Sequence, residues 1–565
     1  MLKLATVFSG IGSIEHALER LGIDYSIEFA CDNGDVDILS KDISDTITDV
    51  QSEIVELEGI IGKEDEYDEW LNEKLDKVSR LLTDFEIEIL KLDVNQFNPV
   101  IKLASELSEK KVFNSSQQKF YNSTLDLIIK ADPLLDILEK VYQSIRLSIK
   151  LYNDLPKLKS NTVRFPELEI SITSLKHYTQ QFKAIREELS MLHERVNTEK
   201  IREKVFNLPT LEEQKRYVDS LYKGRENQNN VRKSYFANYD IDESRFHWNV
   251  SFLDGKKFTD IDLFVGGSPC QSFSLVGKQR GLGDTRGTLF YEYARLVDEI
   301  KPKVFIYENV KAILSNDGGQ TWKTMTKIFD DLGYEWQYQI LNAKDYGIPQ
   351  NRERVFVVGF RNDLDFKEFA FPEKIELTKV MQDFLVDNVS GKYYLAKKGV
   401  EFVLSDKNLE KRYTQIDGEI QLCQKKNQQF NWHGDFVFEE ENKDKEKLME
   451  DLDKYFLSEK VKKYVLASGT KGFYSKPETD LEIARPLLTT MHKMHRAGVD
   501  NYVTTEGRLR KLTPRECLRL MGYCDSFKIV VSDTAVYQQA GNSIVVDVMM
   551  AIVKQIFEAY PKLGK

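Results

Sequence analysis

The sequence predicts a doubly wound α/β sheet that is interrupted by a long helical insertion and followed by a smaller irregular domain. Residues 1–35 read strand, glycine turn, helix, strand, which is how such a sheet begins. Apolar residues then repeat at helical spacing, and short apolar runs typical of buried parallel strands resume after about residue 230. At 565 residues the chain is too long for one core, so we expect several domains.

The opening segment has the features of a nucleotide-type binding site. Gly10 and Gly12 form a tight turn after the first strand, and Asp32 closes the second strand, where a carboxylate can accept hydrogen bonds from ribose hydroxyls. The pair indicates an adenosine-type cofactor, and the alternative is a structural turn with a surface aspartate. A dinucleotide turn needs a third glycine where this chain has Glu15, so the sequence favours a cofactor without a pyrophosphate.

Residues 36–230 are predicted to form a helical insertion. Apolar residues alternate at spacings of three and four from Ile43 to Leu92, and further helical patterns surround residues 134–149 and 182–196. This regular series of apolar residues, a heptad seam, is explained either by packing within a helical bundle or by an intermolecular coiled coil.

The two halves of the insertion differ in charge. Residues 36–100 hold 18 acidic and 6 basic side chains, whereas residues 101–230 hold 18 acidic and 22 basic ones, so only the later helices suit an approach to phosphates. We expect the insertion to dock a partner protein or a second copy of the chain. A clamp on a phosphate backbone and a passive spacer are the alternatives.

Two strands of the second half end at reactive side chains. Cys270 follows the apolar run 262–267, and Glu308 closes the run 303–307. Ligands of an open α/β sheet bind beyond the carboxyl ends of its strands, where a cysteine can act as a thiolate nucleophile. Each residue also has a simpler interpretation, as a packed thiol or a strand-end cap. None of the five cysteines forms a CxxC pair, so we predict no metal site and no disulfide framework.

Two arginines lie at the start of the predicted strand 354–360. Arg352 and Arg354 are two residues apart, so an extended backbone places both guanidinium groups on one face. Such fixed donor groups suit a carbonyl oxygen or a phosphate, and the alternative is two surface arginines.

At this point the sequence resembles the DNA cytosine-5 methyltransferases. The resemblance covers residues 1–35 and about 230–565, and the motifs occur in the order found in that family. The matching segments are FSGIG at 8–12, GSPCQSFS at 267–274, DTRGTLF at 284–290, ENV at 308–310, QNRER at 350–354, RKLTPREC at 510–517 and QAGNS at 539–543.

The resemblance implies a Rossmann-like methyltransferase sheet and a mechanism. Cys270 would attack C6 of cytosine, Glu308 would hold a proton on N3, and Arg354, with Arg352 nearby, would bind O2. The activated C5 would take the methyl group of S-adenosylmethionine. Because a ring atom stacked in duplex DNA is out of reach, the base would be flipped out of the helix.

The resemblance also assigns ligand contacts. The implied cofactor residues are Phe8, Gly10, Gly12, Asp32, Asn249, Leu289, Asn542 and Ser543, and the implied DNA contacts are Gln271, Lys493, His495 and Arg496. Asn249 stands where the family often has an aspartate for the adenine amino group, and Asp254 is the other candidate for that position.

The predicted domains follow from these assignments. The catalytic domain is split into segments at 1–35 and 231–372 by the insertion at 36–230, and it is followed by a target-recognition domain at 373–510 and a returning hinge and C-terminal segment at 511–565. We expect a cytoplasmic, nucleoid-associated enzyme acting on double-stranded DNA, with a restriction endonuclease as a cognate partner. The N-terminus has no signal-peptide pattern and no membrane span is predicted. The rival interpretations are a methyltransferase acting on RNA cytosine and an inactive DNA-binding scaffold.

Overall fold

The computed structural model divides the chain into two compact units. One comprises Met1–Val36 with Leu208–Lys565, and the other comprises Asp37–Asn207. The described residues are 1–61, 69–130, 136–158, 163–268, 289–385, 393, 395, 397–426, 432–440, 507–511 and 513–565.

The strands and helices are numbered in chain order. The strands are β1 (Leu2–Val7), β2 (Tyr25–Cys31), β3 (Phe246–His247), β4 (Leu263–Gly266), β5 (Val304–Val310), β6 (Tyr334–Asn342), β7 (Gln350–Asn351), β8 (Glu353–Arg361), β9 (Thr414–Ile416), β10 (Gln421–Leu422), β11 (Gly434–Glu440) and β12 (Gly507–Lys511). The helices are α1 (Ser13–Leu21), α2 (Ile47–Ile61), α3 (Glu69–Ile89), α4 (Asn98–Glu109), α5 (Ser115–Lys130), α6 (Ile137–Asp154), α7 (Ile172–Phe206), α8 (Leu211–Tyr222), α9 (Asn230–Asn238), α10 (Leu289–Ile300), α11 (Gln320–Asp331), α12 (Lys397–Val403), α13 (Asp406–Glu410), α14 (Pro514–Arg519), α15 (Asp533–Asn542) and α16 (Val546–Ala559).

A seven-stranded sheet organises the first unit. Its order is β3-β2-β1-β4-β5-β8-β6, and the pairs from β3 to β5 are parallel. Side chains of successive residues point to opposite faces, so Leu4 and Ala5 of β1 enter two different apolar clusters. Helices α1 and α16 pack on one face and α10 and α11 on the other, which confirms the predicted doubly wound class.

Strand β8 runs antiparallel between β5 and β6. The sequence indicated a strand here and left its direction open. Because Arg354 pairs with Val310 at the end of β5, the amino end of β8 lies at the same edge as the carboxyl ends of β4 and β5. The reversal therefore brings Arg352, just before β8, and Arg354, near its start, to the edge where parallel-sheet ligands bind.

The helical unit contains α2 to α7. The heptad residues of α2 and α3 are buried inside this unit, together with Tyr142 of α6 and Phe182 of α7. Asp45, just before α2, forms ion pairs with Arg146 and Arg186 and so fixes the place where the chain enters the helical unit. The seam found in the sequence is thus used for packing within the bundle.

Helices α8 and α9 belong to the sheet unit, whereas the sequence assigned residues 208–230 to the insertion. The difference has a physical cause in α8 side chains that are buried within the sheet unit. Val218 and Tyr222 lie four residues apart on one face of α8, and both are buried in the sheet unit. Polar residues surround them in the sequence, so the local pattern alone did not reveal this packing.

A small sheet of β9, β11 and β12 lies in the region predicted as the target-recognition domain. Residues 441–506, nearly half of that region, lie outside the described residues. One helical stretch, Asp533–Ala559, is long and apolar enough for a membrane span by length and composition. More than half of it is buried, as in the core helix of a soluble domain, so it is weak evidence for a span.

Candidate active site

The glycine turn after β1 has three residues in the left-handed region, Phe8 (φ 54°), Gly10 (φ 53°) and Gly12 (φ 77°). A side chain on Gly12 would come within 2.2 Å of the ring of Tyr239, whose hydroxyl donates to the carbonyl of Gly12 at 2.7 Å. Among the residues that the structure describes, no atom lies within 4 Å of a side chain built on Gly10. Gly12 thus serves internal packing, and Gly10 faces open space. Phe8 holds a conformation that costs a non-glycine residue about 1–3 kcal/mol, as is typical of functional turns.

Asp32 connects this turn to the loop after β2. Its carboxylate accepts hydrogen bonds from the amides of Gly10 at 2.9 Å and Gly34 at 2.8 Å. Burial raises the pKa of Asp32, and these two bonds oppose the rise. Each carboxylate oxygen keeps a second lone pair, which fits the expected role as acceptor for ribose hydroxyls.

Behind the turn lies a buried carboxyl group that the sequence did not single out. Glu15, in the first turn of α1, accepts hydrogen bonds from the hydroxyls of Tyr235 and Thr6. Burial raises the pKa of Glu15 to about 7. In the sequence, Glu15 was noted only because it stands where a dinucleotide turn needs a third glycine. Its hydrogen bonds could not be predicted, because its partner Tyr235 is 220 residues away.

Asn249 and Asp254, the two candidates for the adenine position, lie in different surroundings. Asn249 lies two residues after the end of β3, and its side-chain oxygen accepts the amide of Ser251 at 3.0 Å. Asp254 accepts the amide of Lys256, and the adjacent Gly255 bonds to Glu299 in the last turn of α10. The last turn of α10 leads to the start of β5. Asp254 therefore lies away from the edge of the sheet that is formed by the carboxyl ends of the parallel strands. The position of Asn249 therefore fits a cofactor site better.

Glu308 and Arg354 form an ion pair where β5 ends and β8 begins. Arg354 Nε lies 3.1 Å from Glu308 Oε1, and both side chains are largely buried. Burial raises the pKa of Glu308, and the positive charges of Arg354 and Arg352 oppose that rise. A side chain on Gly267 would come within 2.9 Å of Glu308 Oε2, so the backbone after β4 lies directly against this carboxylate.

The start of the loop after β4 is anchored on β5. The hydroxyls of Ser268 and Tyr307 are 2.7 Å apart, and Asn309 Nδ2 donates to the Ser268 carbonyl at 3.2 Å and to Tyr307 at 2.8 Å. Cys270 lies two residues further on, outside the described residues, as do Gln271, Lys493, His495 and Arg496. Tyr307 and Asn309 were not predicted as site residues, although Asn309 stands within the ENV motif.

Arg352 lies in a different environment from Arg354. It is buried, and it donates to the carbonyls of Gln424 at 2.6 Å, Gly541 at 3.0 Å and Ser543 at 2.9 Å. Burial and the neighbouring Arg354 lower the pKa of Arg352 to about 10. These contacts join the segment around Gln424 to the segment 541–543. Arg352 is therefore placed to hold these two segments in position.

Three further predicted cofactor residues border this edge. Leu289 begins α10 half-buried, and Asn542 ends α15 with an exposed side chain. The hydroxyl of Ser543 is 2.8 Å from that of Tyr523 and therefore turns inward. A side chain on Gly541 would come within 2.3 Å of the backbone of Lys426, so this segment packs closely on the chain after β10.

Comparison with known proteins agrees with this arrangement. The sequence model of the C-5 cytosine-specific DNA methylases matches residues 211–558. The type II methyltransferase M.HhaI of Haemophilus parahaemolyticus is 33% identical over 308 residues, 54% of this chain and 79% of that protein. M.HpaII of Haemophilus parainfluenzae is 31% identical over 340 residues, 59% of this chain and 81% of that protein.

One similar solved structure is that of a DNMT2 mutant of Spodoptera frugiperda. It has a TM-score of 0.39 and 13% identity, and it covers 99% of this chain and 100% of that one. The rival interpretations from the sequence, an RNA enzyme or an inactive scaffold, are not favoured by the family match.

The matched family model spans more than half of the chain and includes Glu308, Arg354 and Asn542. The chain therefore belongs to the C-5 cytosine-specific DNA methylases and, with S-adenosylmethionine as donor, methylates cytosine in DNA at C5.

Proposed function

We propose that this chain methylates a flipped-out cytosine within a specific duplex sequence through a covalent adduct on Cys270. The observation that carries the proposal is the buried Glu308–Arg354 pair at the edge of the sheet. It lies against the backbone of Gly267, three residues before the proposed nucleophile.

The proposed reaction assigns one task to each side chain. The thiolate of Cys270 attacks C6, and Glu308 holds a proton at N3 so that negative charge does not accumulate on the ring. Arg354 donates to O2, and its ion pair keeps Glu308 pointing into the same space. C5 then attacks the methyl group, and loss of the C5 proton and of the thiolate restores the aromatic ring.

S-adenosylmethionine supplies an electrophilic methyl group on a sulfonium. Gly10 offers open space, the carboxylate of Asp32 bonds to the amide of Gly10, and Asn249 lies two residues after β3. We assign these three residues to the cofactor, together with Phe8, Gly12, Leu289, Asn542 and Ser543. Gly12 and Ser543 act on it indirectly, because the Gly12 carbonyl and the Ser543 hydroxyl bond to buried tyrosines.

DNA contacts are assigned to Gln271, Lys493, His495 and Arg496. Flipping a base costs a few kcal/mol, which contacts to phosphates and to the vacated gap would offset. We also propose that the enzyme has a cognate restriction endonuclease, and that a protein partner or a second copy of the chain binds residues 37–207. We further propose that the enzyme associates with the nucleoid in the cytoplasm.

Methylation-aware sequencing tests this function directly. DNA from cells expressing the wild-type gene should carry 5-methylcytosine at one recurring sequence, and DNA from cells expressing Cys270→Ser should not. Glu28→Gln, a change on the outer part of β2, is the matched control and should methylate normally. Methylation by the serine variant would refute the role of Cys270, and methyl groups on adenine would refute the proposed reaction.

A further inference from the structure

A chain of side-chain hydrogen bonds runs behind the glycine turn that follows β1. Glu15 Oε1 accepts the hydroxyl of Tyr235 at 2.5 Å and lies 3.3 Å from the hydroxyl of Thr6. The hydroxyls of Thr6 and Ser9 are 2.7 Å apart. Glu15 and Tyr235 are fully buried and Thr6 is 2% exposed, so these contacts are made away from water. The chain connects α9 through α1 and β1 to the turn itself.

Ser9 stands at the end of this chain, between Phe8 and Gly10 of the turn. Its hydroxyl oxygen accepts the amide of Cys31 at 3.0 Å, and its hydroxyl lies 3.3 Å from the carbonyl of Cys31. Cys31 ends β2 and directly precedes Asp32, the proposed ribose acceptor. Ser9 therefore holds the turn against the strand end that carries Asp32.

Each hydroxyl of the chain has one proton, so the contacts share a limited number of donors. When Glu15 is ionised it only accepts, so Thr6 donates to Glu15. Ser9 then supplies the proton of its short contact with Thr6, and its hydroxyl no longer donates to Cys31. When Glu15 is protonated it donates to Thr6, and Thr6 donates to Ser9. The Ser9 proton is then free for the carbonyl of Cys31, so one proton on Glu15 reverses the whole chain.

The surroundings of the Glu15 carboxyl group favour donation toward Thr6. Among the described residues, Glu15 Oε2 is buried and has no hydrogen-bond partner, so a proton on that oxygen would have no acceptor. A proton on Oε1 can point to Thr6, while Tyr235 still donates to the remaining lone pair of the same oxygen. The protonated carboxyl group therefore has a single well-placed acceptor.

The titratable groups around Glu15 differ from it in their behaviour near neutral pH. Burial raises the pKa of each nearby tyrosine above its ordinary value, so all four stay neutral; they are Tyr25 on β2, Tyr235 and Tyr239 on α9, and Tyr523 after α14. Glu19, one turn further along α1, adds a negative charge that helps to raise the pKa of Glu15. Mainly through burial, that pKa lies at about 7. Glu15 is therefore the member of this group that exchanges its proton near neutral pH.

We propose that Glu15 is a positioning residue for cofactor binding, whose proton directs the Ser9 hydroxyl to the end of β2 and so holds the glycine turn beside Asp32. This inference rests on the cofactor site proposed above. The protonated state gives the turn one more hydrogen bond to β2 than the ionised state does. Cofactor affinity is therefore highest below about pH 7 and falls as pH rises through this value.

Calorimetric binding of S-adenosylhomocysteine from pH 6 to 8 tests the proposal with a ligand that has no sulfonium charge. Wild-type affinity should fall about three- to tenfold over this range, the value of about one hydrogen bond. E15Q cannot ionise, so its affinity should change by less than twofold. E19Q is the matched control on α1, because Glu19 bonds to Tyr25 rather than to Thr6, and it should keep the wild-type fall.

Substitution of Thr6 by valine separates positioning from structural support, because it keeps the buried Glu15 and breaks the chain to Ser9. The affinity of T6V should not depend on pH, whereas its stability should still fall as Glu15 ionises. T6V also keeps the test decisive if E15Q does not fold. A wild-type affinity that is independent of pH, or a fall that persists in E15Q or T6V, would overturn the inference. A wild type that does not bind S-adenosylhomocysteine at any of these pH values would instead refute the cofactor site itself.

Discussion

Arg354 Nε lies 3.1 Å from Glu308 Oε1, across the junction between the end of β5 and the start of β8. The two strands are antiparallel, so residues 46 positions apart in sequence meet at one edge of the sheet. A buried pair of this kind costs about 3–5 kcal/mol to break by removing one partner. The pair lies beside Gly267, three residues before the proposed nucleophile Cys270. Its proposed role in the reaction therefore explains why the protein keeps an energetically costly pair at this point of the fold.

Replacing Glu308 by glutamine should reduce kcat by about a hundred- to ten-thousandfold, the usual contribution of a positioned proton donor. Burial raises the pKa of Glu308, so its protonated form persists to higher pH than that of an ordinary glutamate. Wild-type kcat should therefore be full below that raised pKa and fall as pH rises through it. The residual activity of E308Q should lack this pH dependence.

Rates of methyl transfer measured from pH 5 to 9 at saturating DNA and S-adenosylmethionine check this prediction. Binding of S-adenosylhomocysteine to E308Q serves as the control and should match the wild type. An E308Q rate within threefold of the wild type would contradict the assignment of Glu308.

Arg352→Ala and Arg354→Ala should differ in what they impair. Removing Arg352 takes away its hydrogen bonds to the carbonyls of Gln424, Gly541 and Ser543, so we expect a loss of about 3 kcal/mol in stability and weaker cofactor binding. Removing Arg354 should lower kcat and leave the affinity for S-adenosylhomocysteine unchanged. Thermal melts and calorimetric binding of both variants distinguish these outcomes, and the opposite assignment of effects would contradict the account.

Gly541→Ala should destabilise the sheet unit, because the added methyl group would meet the backbone of Lys426 at 2.3 Å. Overpacking against a backbone costs about 1–3 kcal/mol. Gly59→Ala is the matched control within α2, where no atom of the described part of the chain lies within 4 Å of the added group. That change should stabilise its helix by about 0.5–1 kcal/mol. Urea unfolding of both variants tests the pair, and equal midpoints would argue against close packing at Gly541.

Glu15 should make stability depend on pH. Its pKa of about 7 in the folded protein lies above that of an unfolded chain, so the folded state holds the proton more tightly. The contribution of Glu15 to the free energy of unfolding should therefore be full below about pH 4.5 and be lost as pH rises through about 7. Glu15→Gln removes this term, so the wild type should lose about 3 kcal/mol relative to the variant between these pH values. Parallel pH dependences of wild type and variant would refute the assignment.

The sequence was most informative where a feature is local. The strand, glycine turn and helix around Gly10 lie within about 20 residues, and their order was sufficient to predict the doubly wound sheet that the structure confirms. The motifs around Glu308 and Arg352 were likewise contiguous, and the family that they suggested is confirmed. The roles of the individual site residues stay predictions until the experiments above are done.

Features that depend on distant partners could not be read from the sequence. Gly12 looked like a cofactor glycine, but its lack of a side chain makes room for Tyr239, 227 residues away. The spacing of Arg352 and Arg354 predicted a shared face, but not that Arg352 would bond to Gly541 and Ser543. In each case, the partner is fixed only when the sheet has assembled.

The most direct measurement of the central claim is covalent trapping on duplex DNA that contains 5-fluorocytosine at the methylated position. Fluorine at C5 blocks elimination, so incubation with S-adenosylmethionine should leave a stable protein–DNA adduct, and mass spectrometry should locate it on the peptide that contains Cys270. No adduct in an enzyme that methylates ordinary DNA, or an adduct on another residue such as Cys423, would contradict the account.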